Sequence, residues 1–411
     1  MIWIGKLLGV VIGYLLGNVL GALIGLEIPL LTRLIGGREA LKDTLANVLA
    51  FDYLGALVAS LLFPWILLPQ LGLLRTAFLT GLFNILIAGL NVWTFRERFK
   101  ARGRLLGMTA IVALLLIGGF VGSVGLTTLF EKQLYDDEII YTRQTTYQRI
   151  VITRWGKDVR LFLDGGLQFS SMDEHRYHEP LVHPAMSLTR SQEQVLVLGG
   201  GDGPVARELL KYEDIERIVV VDIDPEMTEL ARTHPAILEV NEGALDDPRV
   251  ELVHQDAYRY LEETAELFGV IIADLPDPNN ESLGKLYTRE FYTLVRRHLA
   301  VGGVFVTQAT SPYFARETFW CIEHTIADAA FHTVPYHVYI PSFGDWGFVM
   351  AAAHPLDETQ VAPEVPTRYL TPAIFQASTL FDSDIAKVET EVNTLDSQVI
   401  LRYYEKGWKR W

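Results

Sequence analysis

The stretch from Gln194 to Pro225, QVLVLGGGDGPVARELLKYEDIERIVVVDIDP, narrows what this chain can fold into more than any other. Val195 to Leu198 is a short, β-branched apolar run of the kind buried inside a parallel sheet. Gly199-Gly200-Gly201 then permits a tight turn and a close approach of backbone to a ligand. From Pro204 the spacing of VARELLKY is helical, and proline suits a first helical turn. A second buried strand, Ile218 to Val221, ends on Asp222, about 20 residues past the glycines, where an acid can grip ribose hydroxyls. Strand, glycine turn, helix, strand and acid form the nucleoside-binding half of a doubly wound sheet. Asp202, inside the turn, is an anion where a dinucleotide's phosphates would lie. It suits a ligand with no phosphates and a positive charge.

At 411 residues the chain has room for two or three domains, and its charge is divided unevenly. Residues 1–130 carry ten Lys/Arg against five Asp/Glu, so the other 281 hold a net charge of −20. A membrane part followed by an acidic soluble part is the simplest explanation. An acidic domain argues against nucleic acid as a partner and for cationic ligands. The single cysteine, Cys321, excludes an internal disulfide and a cysteine-based metal site.

Four apolar stretches are long enough to span a bilayer: Ile2–Leu26, and roughly 45–68, 71–95 and 105–130. In the first, glycines recur every four residues from Gly9 to Gly25, a small-residue stripe for helix packing. Arg33, Arg38 and Lys42 in one loop, and the cluster Arg96 to Arg104 in another, lie on the same side, which the positive-inside rule makes cytoplasmic. Four spans then leave the soluble part outside, whereas a nucleoside substrate belongs in the cytosol. Glu27 and Asp52 sit in or beside these spans, either as functional ionisable groups or as paired structural ones.

Beyond residue 130, Ile139–Ile152 and Asp158–Phe169 alternate as strands around an Asp164-Gly165 hairpin signal. This small β-module ends in SSMDEHRYHEPLVHPA, a cluster of acids and histidines without the i, i+4 histidine pair of a helical zinc motif, and no metal is expected there. Strands then alternate with helices through Asp256-Ala257, a strand at Val270–Ala273 running into DLPDP, a helix at Thr288–Leu299 and closing strands from Phe331 to Ala353. Asp274 and Asp277 of DLPDP leave the carboxyl end of a strand, where doubly wound sheets bind ligands. FDSDIAKVETEVNTL near the end reads as a helix. The aromatic, basic LRYYEKGWKRW suits either a membrane interface or docking on the protein's own surface.

TYQRIVI, LDGGLQFSSMDEHRYHEPLVHPA, VLVLGGGDGPVARELLKY, DDPRVELVHQDA, DLPDP, LYTREFY and GGVFVTQATSP, in that order, closely resemble the spermidine synthases, the polyamine aminopropyltransferases, over roughly residues 139–352. GLEIPLL and FDYLGAL resemble a membrane-attached branch of that family. That branch usually has more spans before this point, so the resemblance implies that this chain starts partway through its membrane domain. The expected organisation is a transmembrane helical domain (1–130), a small β-module (131–185), a Rossmann-like, methyltransferase-type α/β domain (186–355) and a C-terminal tail with a helix (356–411).

The resemblance implies transfer of an aminopropyl group from decarboxylated S-adenosylmethionine, a co-substrate, to putrescine or a related polyamine. It further implies that Gln148 and Asp222 hold the adenosine moiety, with Gly199 and Gly201 in the turn and Asp256 and Ala257 at the adenine. Asp202 and His178 contact the aminopropyl or polyamine chain, Asp274 accepts the proton beside Tyr177, and Asp277 binds polyamine. The family is commonly dimeric or tetrameric. The chemistry asks for such residues: an ammonium with a pKa of ~10 cannot attack until it loses a proton. The chain departs from the family at Asp222, usually Glu, at Pro204, usually Gly, at NNES after DLPDP, and at Phe343, where a polyamine-contacting Tyr is common. Two other classes remain: a methyltransferase using intact S-adenosylmethionine, and a membrane polyamine-binding or transport protein with a non-catalytic synthase-like domain.

Overall fold

The computed structural model describes residues 41–95, 97, 101–135 and 137–409. The chain divides into two compact units, Met1–Thr127 and Thr128–Trp411. In the first, three helices are long and apolar enough to cross a membrane: Ala46–Leu67, Leu74–Thr94 and Arg102–Ser123. They fall on three of the four expected spans. The remaining one, Ile2–Leu26, lies outside the described residues, as do its glycine stripe, Glu27, Arg33, Arg38 and, from the Arg96–Arg104 cluster, Arg96, Arg98, Phe99 and Lys100. Asp52 sits on an exposed face of helix Leu41–Leu62. Leu114, Leu115 and Val121 are about 70% exposed, an apolar surface that no other described residue covers.

The second unit begins with a four-stranded antiparallel meander: β1 (Glu138–Gln144), β2 (Arg149–Trp155), β3 (Asp158–Leu163) and β4 (Gly166–Ser170). Asp164 and Gly165, both at positive φ, form the two-residue turn between β3 and β4. Helix His175–Leu188 follows and is buried through most of its length despite two internal prolines. Pro184 has no N–H for the carbonyl of Pro180, and the Tyr336 hydroxyl donates to that oxygen instead, at 2.7 Å.

A seven-stranded sheet holds the rest together, in the order β10-β11-β9-β8-β5-β6-β7. Its strands are β5 (Gln194–Gly199), β6 (Arg217–Asp222), β7 (Val250–His254), β8 (Phe268–Asp274), β9 (Leu299–Gln308), β10 (His332–Ile340) and β11 (Gly344–Ala352). Strands β5 to β9 run parallel, and β10 and β11 are antiparallel additions at one edge. The apolar runs of β5, β6 and β8 are almost wholly buried because helices cover both faces. From β5 the chain goes one way to β6 and β7, then returns to the other side for β8 and β9. The topological switch point therefore lies between β5 and β8, with a crevice at their carboxyl ends.

Two expectations need correction. The helix after the glycine turn is brief, Pro204–Leu209, and not the longer VARELLKY run. The segment FDSDIAKVETEVNTL is not helical. Its carbonyls are taken by side chains of helix Arg316–Asp328: Arg316 Nε donates to Ala386 O (2.7 Å), Trp320 Nε1 to Ile385 O (2.9 Å) and Cys321 Sγ to Glu391 O (3.3 Å). Those oxygens are the ones a helix would need for its own N–H groups, and Ile385, Val388, Thr390 and Val392 are indifferent helix formers. Tertiary partners outcompete the local preference. The last helix, Val399–Trp408, docks on the same unit.

Candidate active site

Every catalytic, nucleoside-binding and amine-binding residue expected in the soluble part lines one cavity of about 630 Å³ at the switch point. The register of the sheet explains the convergence. Gly199 is level with Asp274 on β8, and Leu198 is level with Val221, one residue before Asp222 on β6. The glycine turn, Asp222 and the DLPDP segment thus leave three neighbouring strands at one height. At Gly199, with φ at +83°, a Cβ would collide with the main-chain oxygen of Asp274; at Gly201 it would displace the Asp222 carboxylate. Glycine is required here because backbone and carboxylates pack against the turn.

Asp222 is fixed by main-chain donors, Gly201 N–H to Oδ2 at 3.0 Å and Asp224 N–H to Oδ1 at 2.8 Å. Burial pushes it up to about 6, against the pull of those two donors. Gln148, just before β2, reaches in from the meander and donates to Asp224 Oδ2 at 3.0 Å; Thr145 donates to the same oxygen at 2.8 Å. Asp256 caps helix Ala257–Glu263 by accepting the Arg259 N–H, and its other oxygen takes Lys285 Nζ at 2.7 Å.

Between them lies the most acidic part of the cavity. Tyr177 donates its hydroxyl to Asp274 Oδ1 at 2.7 Å. Burial raises Asp274, opposed by the His178 charge and the Tyr177 bond. The phenol is in turn raised by burial and by the charge of Asp274, so it stays a donor. Asp202 is pushed up to about 7 by burial and then by Asp274. Its Oδ1 is buried with no hydrogen-bond partner. His178 is held by Glu174, Nδ1 to Oε2 at 2.8 Å, and Arg207 donates to the same oxygen at 2.8 Å. Burial pushes the imidazole down, but the Glu174 bond and charge outweigh it and the net shift is upward.

Asp277 stands across the sheet from Asp222. Thr310 donates to its Oδ2 (3.0 Å) and Gln308 to its Oδ1 (3.3 Å). Thr310 itself has φ +58°, a strained value for a β-branched residue, and Gln308 Oε1 holds its N–H at 2.8 Å. Burial raises Asp277 to about 6 in spite of those donors. Buried Tyr287 donates to Pro276 O at 2.9 Å, which stiffens the loop between the two acids.

Sequence reasoning missed Glu174 as the partner of His178, Thr310 and Gln308 as donors to Asp277, and Tyr404 of the last helix, which lines the cavity. Glu174 was legible four residues before His178, one helical turn away. The others carry no local signal. The replacement after DLPDP keeps a wall: Asn279, Asn280, Ser282 and Leu283 all line the cavity. Phe343 lies 6.0 Å from the Tyr177 ring.

The rest of the acid and histidine cluster has structural work. Glu179 accepts the main-chain N–H groups of Arg368, Tyr369 and Leu370, and Asp173 those of the Ser342 N–H and hydroxyl. His183 is sealed between Tyr212 and Glu208, 2.9 Å from each. Among the described residues no group of three or more His, Cys, Asp or Glu is arranged to hold a metal ion.

The cavity lining includes six aspartates (Asp164, Asp202, Asp222, Asp256, Asp274 and Asp277) and no Lys or Arg, with His178 the only basic side chain among the described residues. Such a site favours a ligand carrying several positive charges. Known proteins bear on which ligand that is. The profile of the spermine/spermidine synthase domain matches residues 174–362, and that of the co-chaperone DjlA transmembrane domain matches residues 1–28. Polyamine aminopropyltransferase 2 of Ralstonia nicotianae is 46% identical over 93% of this chain and 76% of its own length. The polyamine aminopropyltransferase of Oceanobacillus iheyensis is 45% identical over 94% and 76%. Among solved structures, a spermidine synthase in complex with the transition-state analogue AdoDATO is 29% identical, with a TM-score of 0.56 over 60% of this chain and 86% of that one. With identity this high over most of both chains, the protein belongs to the spermine/spermidine synthase family, the polyamine aminopropyltransferases.

Proposed function

We propose that the protein moves the aminopropyl group of decarboxylated S-adenosylmethionine onto putrescine, releasing spermidine, methylthioadenosine and one proton. The observation that carries this reading is the acidic cavity with the unpartnered buried oxygen of Asp202 at its centre. A buried carboxylate oxygen without a donor is costly unless a ligand supplies one, and an ammonium does.

Asp222, Gln148, Asp256 and Ala257 hold the nucleoside at the β6 side, and the turn at Gly199 and Gly201 brings backbone close to it. Asp202 and His178 seat the aminopropyl end. Asp277 and Asp274 receive the diamine. The attacking nitrogen bonds to the aminopropyl carbon next to sulfur while the carbon–sulfur pair returns to sulfur, so the sulfonium leaves as a neutral thioether. The nitrogen must first lose a proton, and Asp274 accepts it. A carboxylate raised by burial is a better base than one in water, and the same low-polarity surroundings weaken the ammonium's hold on its proton. Tyr177 keeps Asp274 oriented. Holding the two substrates in line supplies much of the remaining acceleration.

Intact S-adenosylmethionine brings a carboxylate toward Asp202, which disfavours the methyltransferase reading, and the relatives' names agree. Incubation of the protein with each donor and putrescine separates the two. Methylthioadenosine and spermidine, identified by mass, are expected; release of S-adenosylhomocysteine alone overturns the proposal. The three apolar helices and the match at residues 1–28 support attachment to a bilayer by several spans. Retention of the full chain in membranes after alkaline carbonate washing is the expected result, and its recovery in the wash would rule attachment out.

A further inference from the structure

The last helix lies beyond the 174–362 stretch matched by the synthase profile, yet it puts Tyr404 into the cavity with its hydroxyl facing the Asp277 carboxylate. Its position is fixed by packing. Gly407 lies so close to Ala315 that a Cβ there would press on the main chain, and Trp408 stacks on Phe314 with centroids 5.4 Å apart. Asn393 anchors the approach to the helix, donating to Tyr287 O at 3.0 Å and accepting the Ile400 N–H at 3.3 Å.

Tyr404 also lines a second cavity, of about 640 Å³ and broadly open to solvent, walled largely by the last helix itself. Asn279 is the other residue common to both cavities, so Tyr404 and Asn279 form the partition. The order of the strands shows which end of the site this is. Asp222 ends β6, Asp202 follows β5, Asp274 ends β8 with Asp277 just beyond it, and Thr310 follows β9. The partition thus stands at the end farthest from the nucleoside acid, beside the carboxylate that receives the amine. In the outer cavity Lys409 is paired with Glu405 and Arg402 with Glu391, each at 2.6 Å, so its cations are already matched.

We propose that Tyr404 sets the length of the amine acceptor: its ring ends the inner cavity one diamine deep, and the outer cavity is the space a longer polyamine would need. This rests on reading the Asp274–Asp277 end as the amine end. Steric discrimination by one filled position in a pocket is commonly worth about 10- to 200-fold. The test is kcat/KM of the full chain in detergent for 1,4-diaminobutane and for spermidine, at saturating decarboxylated S-adenosylmethionine, with products identified by mass. Wild type is expected to prefer the diamine. Tyr404→Ala should shift the ratio toward spermidine by about tenfold or more, and Tyr404→Phe, which keeps the ring, by less than about threefold. Methylthioadenosine affinity of each variant is measured alongside. The inference is overturned if wild type uses spermidine as well as the diamine, or if Tyr404→Ala keeps the wild-type ratio. Loss of methylthioadenosine binding in Tyr404→Ala overturns it too, because Tyr404 would then support the nucleoside end or the fold. A wild type that transfers to no amine at all would instead defeat the reading of the site on which the inference rests.

Discussion

Neutralising Asp202 should make the protein more stable above neutral pH while disabling it. In the folded state burial and Asp274 push this carboxyl from 3.8 up to about 7. The folded chain therefore keeps a proton that the unfolded chain has already released. Stability from this group is fully present below about pH 4 and is lost as pH rises through about 7. The gap of about three pH units, at about 1.4 kcal/mol each, gives roughly 4 kcal/mol as an upper bound. Asp202 is only half-buried where it lines the cavity, so roughly half of that is a fair expectation. Asn keeps the shape and cannot ionise. For a unit of this size about 1 kcal/mol moves the melting temperature by roughly 2–4 °C. The melting temperature of Asp202→Asn, followed by tryptophan fluorescence of the full chain in detergent, should exceed that of wild type by roughly 4–8 °C at pH 8. The advantage should shrink toward pH 4. Saturating decarboxylated S-adenosylmethionine, with no amine acceptor present, should narrow it at pH 8, because its ammonium stabilises the ionised wild-type site. A difference independent of pH, or one that grows toward acid, would refute the reasoning.

Replacing Asp274 by Asn should lower kcat by about 10²- to 10⁴-fold with methylthioadenosine affinity kept within a few-fold, as read by steady-state kinetics and calorimetry. Asp222→Ala should act the other way, weakening methylthioadenosine by about tenfold or more through loss of charge-assisted bonds, with a smaller effect on kcat at saturation. Glu174 is pulled down to about 2 by His178 and Arg207 against the effect of burial, and it sustains the raised pKa of His178. Glu174→Gln should therefore let His178 lose its proton at a lower pH and add a fall in rate on the alkaline side of the pH profile; an unchanged profile would make Glu174 purely structural. Thr310→Gly should keep the backbone conformation without strain but remove a donor to Asp277, raising KM for the diamine more than KM for the donor.

The nucleotide half of the fold was legible because its evidence is local. A buried β-branched run, three glycines and an acid at fixed spacing can be met in few ways, and the right-handed crossover does the rest. The acids of DLPDP were legible for the same reason, since a strand's end fixes where they emerge. Three long apolar helices were legible from length and composition. Residues 381–395 show the limit. Their pattern permits a helix, and they are irregular because side chains from helix Arg316–Asp328, about 70 residues earlier, bind the carbonyls a helix would use. Tyr404 is the same lesson at the site. Nothing within LRYYEKGW says that one tyrosine faces a carboxylate 127 positions earlier; the packing of Gly407 on Ala315 and Trp408 on Phe314 decides it. Spacing along the chain fixed which residues leave the same edge of the sheet. Only folding brought distant segments over that edge, because their placement depends on side-chain contacts that short-range pattern does not encode.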